Sequence, residues 1–97
     1  MRGGWVYLLA SRYRGTIYTG VTADLARRTH QHRLGKGSKF AAKYDVMRLV
    51  HAEHYPRIDE AIAREKAIKK WLRQWKIELI EKDNPDWLDM YDYLIGA

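Results

Sequence analysis

Ninety-seven residues carry 18 Lys and Arg against 12 Asp and Glu, a formal net charge of +6, with four histidines and no cysteine. That length leaves no room for a separate substrate-binding domain. The missing thiols exclude a disulfide framework and a thiolate zinc site, and no long apolar stretch marks a signal peptide or a membrane span. The expectation is one soluble, cytoplasmic module over 1–97, with a core about 4–82 and an acidic helix about 84–93. It would work without a small-molecule cofactor, and its oligomeric state is left open.

Trp5 to Ala10 and Thr16 to Val21 are short runs of β-branched, aromatic and aliphatic residues that read as strands. The polar segment Ser11-Arg12-Tyr13-Arg14-Gly15 between them suits a hairpin connection. Period-two alternation places Trp5, Tyr7 and Leu9 on one face, and Tyr18 with Gly20 on one face of the partner strand. Register decides whether Tyr7 and Tyr18 share a face, and the sequence leaves it open. Asp24 to Leu34 predicts a helix with Thr22 as N-cap and Gly35 as its stop. On it Leu25, Arg28 and His32 fall at i, i+3 and i+7 and share a face, while Arg27 is turned away.

Gly35 to Phe40 is a flexible basic loop, followed by an alanine-rich turn that ends at Lys43-Tyr44. Val46 to Glu53 reads as a third strand, with Val46, Arg48, Val50 and Ala52 on one side and Met47, Leu49 and His51 on the other. Ile58 to Trp75 is the clearest helix, with an apolar stripe of Ile58, Ala61, Ile62, Ile68 and Leu72. Glu65 fills the gap in that stripe. A carboxylate buried without a partner costs roughly several kcal/mol, so it needs a cation beside it, either an arginine in an ion pair or a metal. A second helical stretch covers Lys76 to Lys82, and Asn84 as N-cap with Pro85 behind it starts a last helix through about Tyr93. Trp71, Trp75 and Trp87 read as core of this helical cluster. His30, His51 and His54 read as surface or sheet-edge histidines.

Charge is distributed unevenly. Residues 1–76 hold seventeen of the eighteen basic residues and six of the twelve acids, net +11, and residues 77–97 are net −5. A basic body attracts polyanions through counterion release, so nucleic acid is the expected partner, on a face away from the acidic C-terminus.

The two tyrosine tripeptides, Trp5-Val6-Tyr7 and Tyr18-Thr19-Gly20, followed by Leu25-Ala26-Arg27-Arg28-Thr29-His30-Gln31-His32, resemble the GIY-YIG nuclease family. The similarity is to its short single-domain bacterial branch and to the N-terminal catalytic domain of the excinuclease member. Trp5 stands where the first tripeptide has glycine and Thr19 where the second has an aliphatic, and neither change removes a reacting group. The resemblance implies an α/β fold with a small, mainly antiparallel three-stranded sheet flanked by helices. It implies Arg28 ten positions after Tyr18 and His32 one helical turn later as site residues, and Glu65 as the metal ligand.

The implied activity is a divalent-metal-dependent endonuclease that hydrolyses DNA phosphodiesters. One Mg2+ or Mn2+ held by a single carboxylate, waters and the substrate phosphate would suffice. Arg28 would clamp a non-bridging phosphate oxygen. Tyr18 is assigned as base or water orienter, His32 as its assistant and Tyr7 as holder of water or phosphate. Arg27, Lys36, Lys39 and Lys43 would touch backbone phosphates without reading sequence. Two other readings stand beside this one, a nucleic-acid-binding module that kept the fold without turnover, and a ribonuclease.

Overall fold

Strand β1 (Gly4–Ala10) is the centre of the molecule, and in the computed structural model, which describes residues 2–95, it is flanked on both sides. β2 (Ile17–Thr22) and β3 (Arg48–Tyr55) pair with it antiparallel, giving the order β2-β1-β3. The β1–β2 register sets Tyr7 opposite Gly20 and Leu9 opposite Tyr18. Tyr7 and Tyr18 therefore share a face, which settles what the hairpin sequence left open. The connecting turn is closed by Ser11, whose backbone N–H donates to Thr16 O and whose Oγ accepts from Thr16 N.

The third strand starts and ends two residues later than its sequence pattern suggested. Its pairing shifts register between Leu8 and Leu9, a bulge that sets His51 opposite Leu8 but Leu49 opposite Leu9. Strict alternation therefore fails. Val46, Leu49 and Ala52 join one cluster, although period two had put Leu49 across the sheet from the other two.

Each face of the sheet carries its own layer. The front, with Tyr7 and Leu9, is covered by α1 (Leu25–Arg33) and the short α2 (Lys39–Lys43), which bury Leu25 and Ala41. The back, with Val6, Leu8 and Ala10, is covered by α3 (Ile58–Lys69) and α4 (Arg73–Asp83), together with Trp87. α3 lies across β1 and β2.

Helix boundaries correct the sequence reading in three places. The N-cap of α1 is Asp24, whose carboxylate accepts from Arg27 N at 3.1 Å, while Thr22 Oγ1 holds Asp24 N. α3 ends at Lys69 where the pattern had suggested Trp75, because Leu72 turns extended and caps α4. Leu72 and Trp75 are accordingly exposed and not core, and Ile62 sits at the surface. Trp71 is partly buried and only Trp87 is fully enclosed.

Asn84 does not start a helix. It caps the end of α4, donates from Nδ2 to Val50 O and Leu88 O, and accepts from Leu88 N. The last helix, α5 (Tyr91–Ile95), begins well after it. Among the described residues no helix is long and apolar enough to cross a membrane.

Candidate nuclease site

Tyr7 is fully enclosed on the front of the sheet, and its ring lies directly over Gly20. A Cβ at Gly20 would stand 2.5 Å from both Cζ and Oη of Tyr7, so only glycine leaves room for the phenol there. Above it, α1 presents Arg28 and His32 one turn apart, as their i, i+4 spacing requires. Tyr7 Oη and His32 Nε2 share a hydrogen bond of 3.0 Å. The Tyr18 ring lies 5.1 Å from the His32 ring and 6.2 Å from the Tyr7 ring.

The Arg28 guanidinium sits beside both phenols, and the Tyr7 oxygen next to it raises its pKa further, so it stays charged. Gln31 Oε1 holds its Nη1 at 3.2 Å. Four of the five residues predicted for catalysis thus meet in one place.

Burial tunes the two inner groups. It pushes the Tyr7 phenol well above the ordinary tyrosine value, more than the neighbouring Arg28 can offset, so Tyr7 stays protonated. It also lowers His32 to about 4, with the Arg28 charge acting in the same direction. An unperturbed imidazole would be basic at neutral pH and fit to assist Tyr18 in that role. The environment of His32 makes it a neutral, weakly basic ring already engaged with Tyr7, which suits holding that phenol better than taking a proton from water. Gly37 closes over this ring, where a Cβ would come within 2.6 Å of Nδ1. His32 Nδ1 has no hydrogen-bond partner among the described residues. Tyr18 is half-buried where Tyr7 is fully enclosed, which makes it the more accessible of the two phenols.

Glu65 is placed differently. It is 9% exposed on α3, in the layer behind the sheet, between Ala61 and Ile68. Its ion pair is with Lys69 Nζ, one turn on, at 3.0 Å. No hydrogen bond or ion pair among the described residues joins it to the tyrosine cluster. The donor chemistry fits a hard divalent cation that takes one protein carboxylate and fills its shell with water and phosphate. No group of three or more His, Cys, Asp or Glu among the described residues forms a ready-made cage. The exposed Lys69 partner is free to swing into solvent if a cation replaces it.

Basic residues surround the front site. Arg27 and Arg28 line a groove of about 420 Å³ with Arg2, Thr22, Asp24 and Gln31. Arg2 was not anticipated, since only the strand pairing brings the N-terminus to the head of α1. Lys36, Lys39 and Lys43 are exposed on the loop and helix that follow. The acidic C-terminal segment docks on the far flank of α1, where Arg33 pairs with Asp89 and stacks 3.9 Å over Tyr91. Arg33 is five positions from Arg28, roughly 140° around the helix. His51, expected at the sheet edge, is on edge strand β3 but buried, and bonds to Glu53 at 2.8 Å.

A profile of the GIY-YIG catalytic domain matches residues 3–78. The chain belongs to the GIY-YIG family. A UPF0213 protein of Cupriavidus pinatubonensis is 36% identical over 78 residues, which cover 80% of this chain and 87% of the relative. One of Staphylococcus aureus is 37% identical, covering 70% and 83%. The solution NMR structure of a UPF0213 protein from Bacillus halodurans superposes with a TM-score of 0.56 at 30% identity, covering 93% of this chain and 95% of that one. The GIY-YIG sheet expected from the tyrosine tripeptides is thus present, antiparallel throughout. The family is one of nucleases, and a nuclease domain implies a nucleic-acid partner. These relatives' names specify no reaction, so the chemistry must be argued from the site.

Proposed function

We propose that this GIY-YIG domain is a divalent-metal-dependent endonuclease that hydrolyses DNA phosphodiester bonds in the cytoplasm. The observation that carries the reading is the convergence of Tyr7, Tyr18, Arg28 and His32 over Gly20. A half-buried sheet needs no arginine held against two phenols, whereas a phosphodiester does. Hydrolysis forms a bond from a water oxygen to phosphorus and breaks the bond to the leaving alkoxide, so negative charge grows on the non-bridging oxygens.

Arg28, fixed by Gln31, offers its fork to those oxygens. Tyr18, the more accessible phenol, orients the attacking water and relays its proton. Tyr7, kept protonated by burial and held by His32, donates toward the phosphate. Glu65 would hold Mg2+ or Mn2+ as its protein ligand, and that ion would supply charge neutralisation and a more acidic water. Arg2, Arg27, Lys36, Lys39 and Lys43 hold the strand by its phosphates.

A second reading is favoured by one observation. Glu65 pairs with Lys69 and not with the cluster, as it would in a domain that binds nucleic acid without cutting it. Cleavage of supercoiled plasmid and of a labelled branched duplex, in magnesium, manganese or EDTA, separates the two. The nuclease reading predicts metal-dependent cutting that vanishes in Glu65→Ala and falls sharply in Tyr18→Phe while binding persists. Binding without cutting on every substrate, or equal cutting by wild type and Glu65→Ala, would overturn it.

A further inference from the structure

The aromatic cluster does not end at the catalytic residues. From His32 the rings continue outward through Tyr18 to Phe40, nearly parallel at 28° and 6.3 Å, and then to Tyr44 at 4.9 Å. Phe40 and Tyr44 are 45% and 46% exposed, although Ala41 beside them is buried. A phenylalanine half in water, stacked on a site tyrosine and leading away from it, is not explained by the core, which Ala41 and Val46 already close. The short helix α2 and its cap organise this surface. Phe40 and Tyr44 are four positions apart and form one stripe, and Lys39 and Lys43, also four apart, form the stripe beside it. Lys43 Nζ lies 5.4 Å from the Tyr44 ring centre.

We propose that Phe40 and Tyr44 are a stacking subsite for an unpaired base next to the phosphate held at Arg28, with Lys39 and Lys43 on the adjoining backbone. The inference rests on the nuclease reading for the position of that phosphate and deepens it by naming the substrate class, a nucleic acid with a single-stranded segment at the cut. In a duplex the faces of each base are covered by its neighbours, so an aromatic shelf finds a partner only where a base is unpaired or displaced. Stacking also tolerates any base, because every base offers a π-face. The parallel lysine stripe explains why the shelf suits a polyanion and not an apolar peptide.

The test measures binding without metal, by anisotropy, to a labelled single strand and to a blunt duplex of the same sequence. Wild type is compared with Tyr44→Ala, Phe40→Leu, which keeps apolar bulk without a π-face, and Phe40→Trp, which keeps the stack. A 2-aminopurine in the single strand reports stacking directly. The subsite predicts about a tenfold loss on the single strand for Tyr44→Ala and Phe40→Leu. It also predicts little change on the duplex, near-normal binding by Phe40→Trp, and 2-aminopurine quenching that weakens in step. Equal losses on both substrates, or none on either, would overturn it.

Cleavage on the same substrates keeps the two claims apart. Cutting whose preference for single strands survives Phe40→Leu and Tyr44→Ala removes the subsite and leaves the nuclease. Selective binding with no cutting removes the nuclease and leaves the shelf.

Discussion

The two faces of one three-stranded sheet are built on opposite principles. The back is closed. Val6, Leu8 and Ala10 meet α3, α4 and a fully enclosed Trp87, and the buried polar atoms there are mostly spent on one another. Glu53 takes hydrogen bonds from Tyr55 and Arg64 and bonds to His51, Asn84 ties the C-terminal loop to Val50 and Leu88, and Glu81 receives Arg14 and the Trp87 indole.

The front is left unfinished. His32 Nδ1 has no partner among the described residues, a charged guanidinium leans on two phenols, and two aromatic rings stand half in water. The lesson is that polar burial alone does not mark a site. A buried polar group whose valences are all used holds the fold together, and one with capacity left over can meet a substrate only where it opens on a site. Thr19 Oγ1, also without a partner among the described residues but opposite Leu8 on the back, shows that spare capacity alone does not mark one.

The largest expected effect is on the back. Trp87→Ala removes a fully buried indole and its bond to Glu81, and should cost about 3–5 kcal/mol. Trp87 also sits at φ 56°, a strained conformation for so bulky a residue, held by its enclosure together with hydrogen bonds from its N–H to Asn84 O and from Arg48 to its carbonyl. Urea unfolding would show it, and a loss below about 1 kcal/mol would mean that Trp87 is not a cornerstone of that core.

Gly20→Ala should damage stability and activity together from the front alone. Its Cβ would drive into Tyr7, so both melting temperature and cleavage should fall, whereas the same change at a strand glycine with free space above it would be neutral. Retained activity with an unchanged melt would break the placement of Tyr7 over Gly20.

Two pH dependences sharpen the contrast. Burial would raise the Glu53 pKa, but the hydrogen bonds with His51, Arg64 and Tyr55 outweigh it and bring the carboxyl to about 2. A depressed carboxylate gives stability that is present above its unfolded value of 4.5 and lost as pH falls toward 2. Glu53→Gln should flatten that acid limb and cost roughly 1–3 kcal/mol at neutral pH.

On the front, His32 binds its proton more readily unfolded, near 6.5, than folded, near 4, so its contribution falls as pH drops between those values. This is the smallest effect, and its clearest readout is kinetic. The acid limb of kcat/KM should show no group near 6.5 that disappears in His32→Phe. A limb at that pH carried by His32 would contradict the neutral, Tyr7-bound ring.

Much of the front was legible in the chain because its signals are local. The alternation around Tyr7 and Tyr18, the helical spacing of Arg28 and His32, and the Gly35 stop each lie within one element, and the family resemblance ties them together. What the sequence hid depends on tertiary contacts. No glycine or proline breaks the run from Ile58 to Lys82, yet the chain breaks at Trp71, which tucks toward Ile68 and takes Arg64 4.9 Å over its ring.

The bulge opposite Leu8 and Leu9 has no mark in a strand that reads as ideal alternation. Asn84 followed by proline is a fair helix start, but its amide finds better partners across the fold in Val50 and Leu88. Phe40 read as the end of a flexible basic loop and Tyr44 as the end of an alanine-rich turn. Only their stacking outward from Tyr18 gives them a place beside the site.

The division of labour between the faces is tested most directly by Arg28→Ala and Arg64→Ala measured side by side, for thermal unfolding and for metal-dependent cleavage. Each removes one partly buried arginine, Arg28 from the front cluster and Arg64 from its paired contacts with Glu53 at 3.0 and 3.3 Å on the back. The account predicts that Arg28→Ala loses about a hundredfold or more in cleavage with its melting point nearly unchanged. It predicts that Arg64→Ala melts several degrees lower while its folded fraction cuts at close to the wild-type rate. Cleavage that survives Arg28→Ala, or that is lost equally in a well-folded Arg64→Ala, would contradict the placement of the phosphate clamp on the front of the sheet.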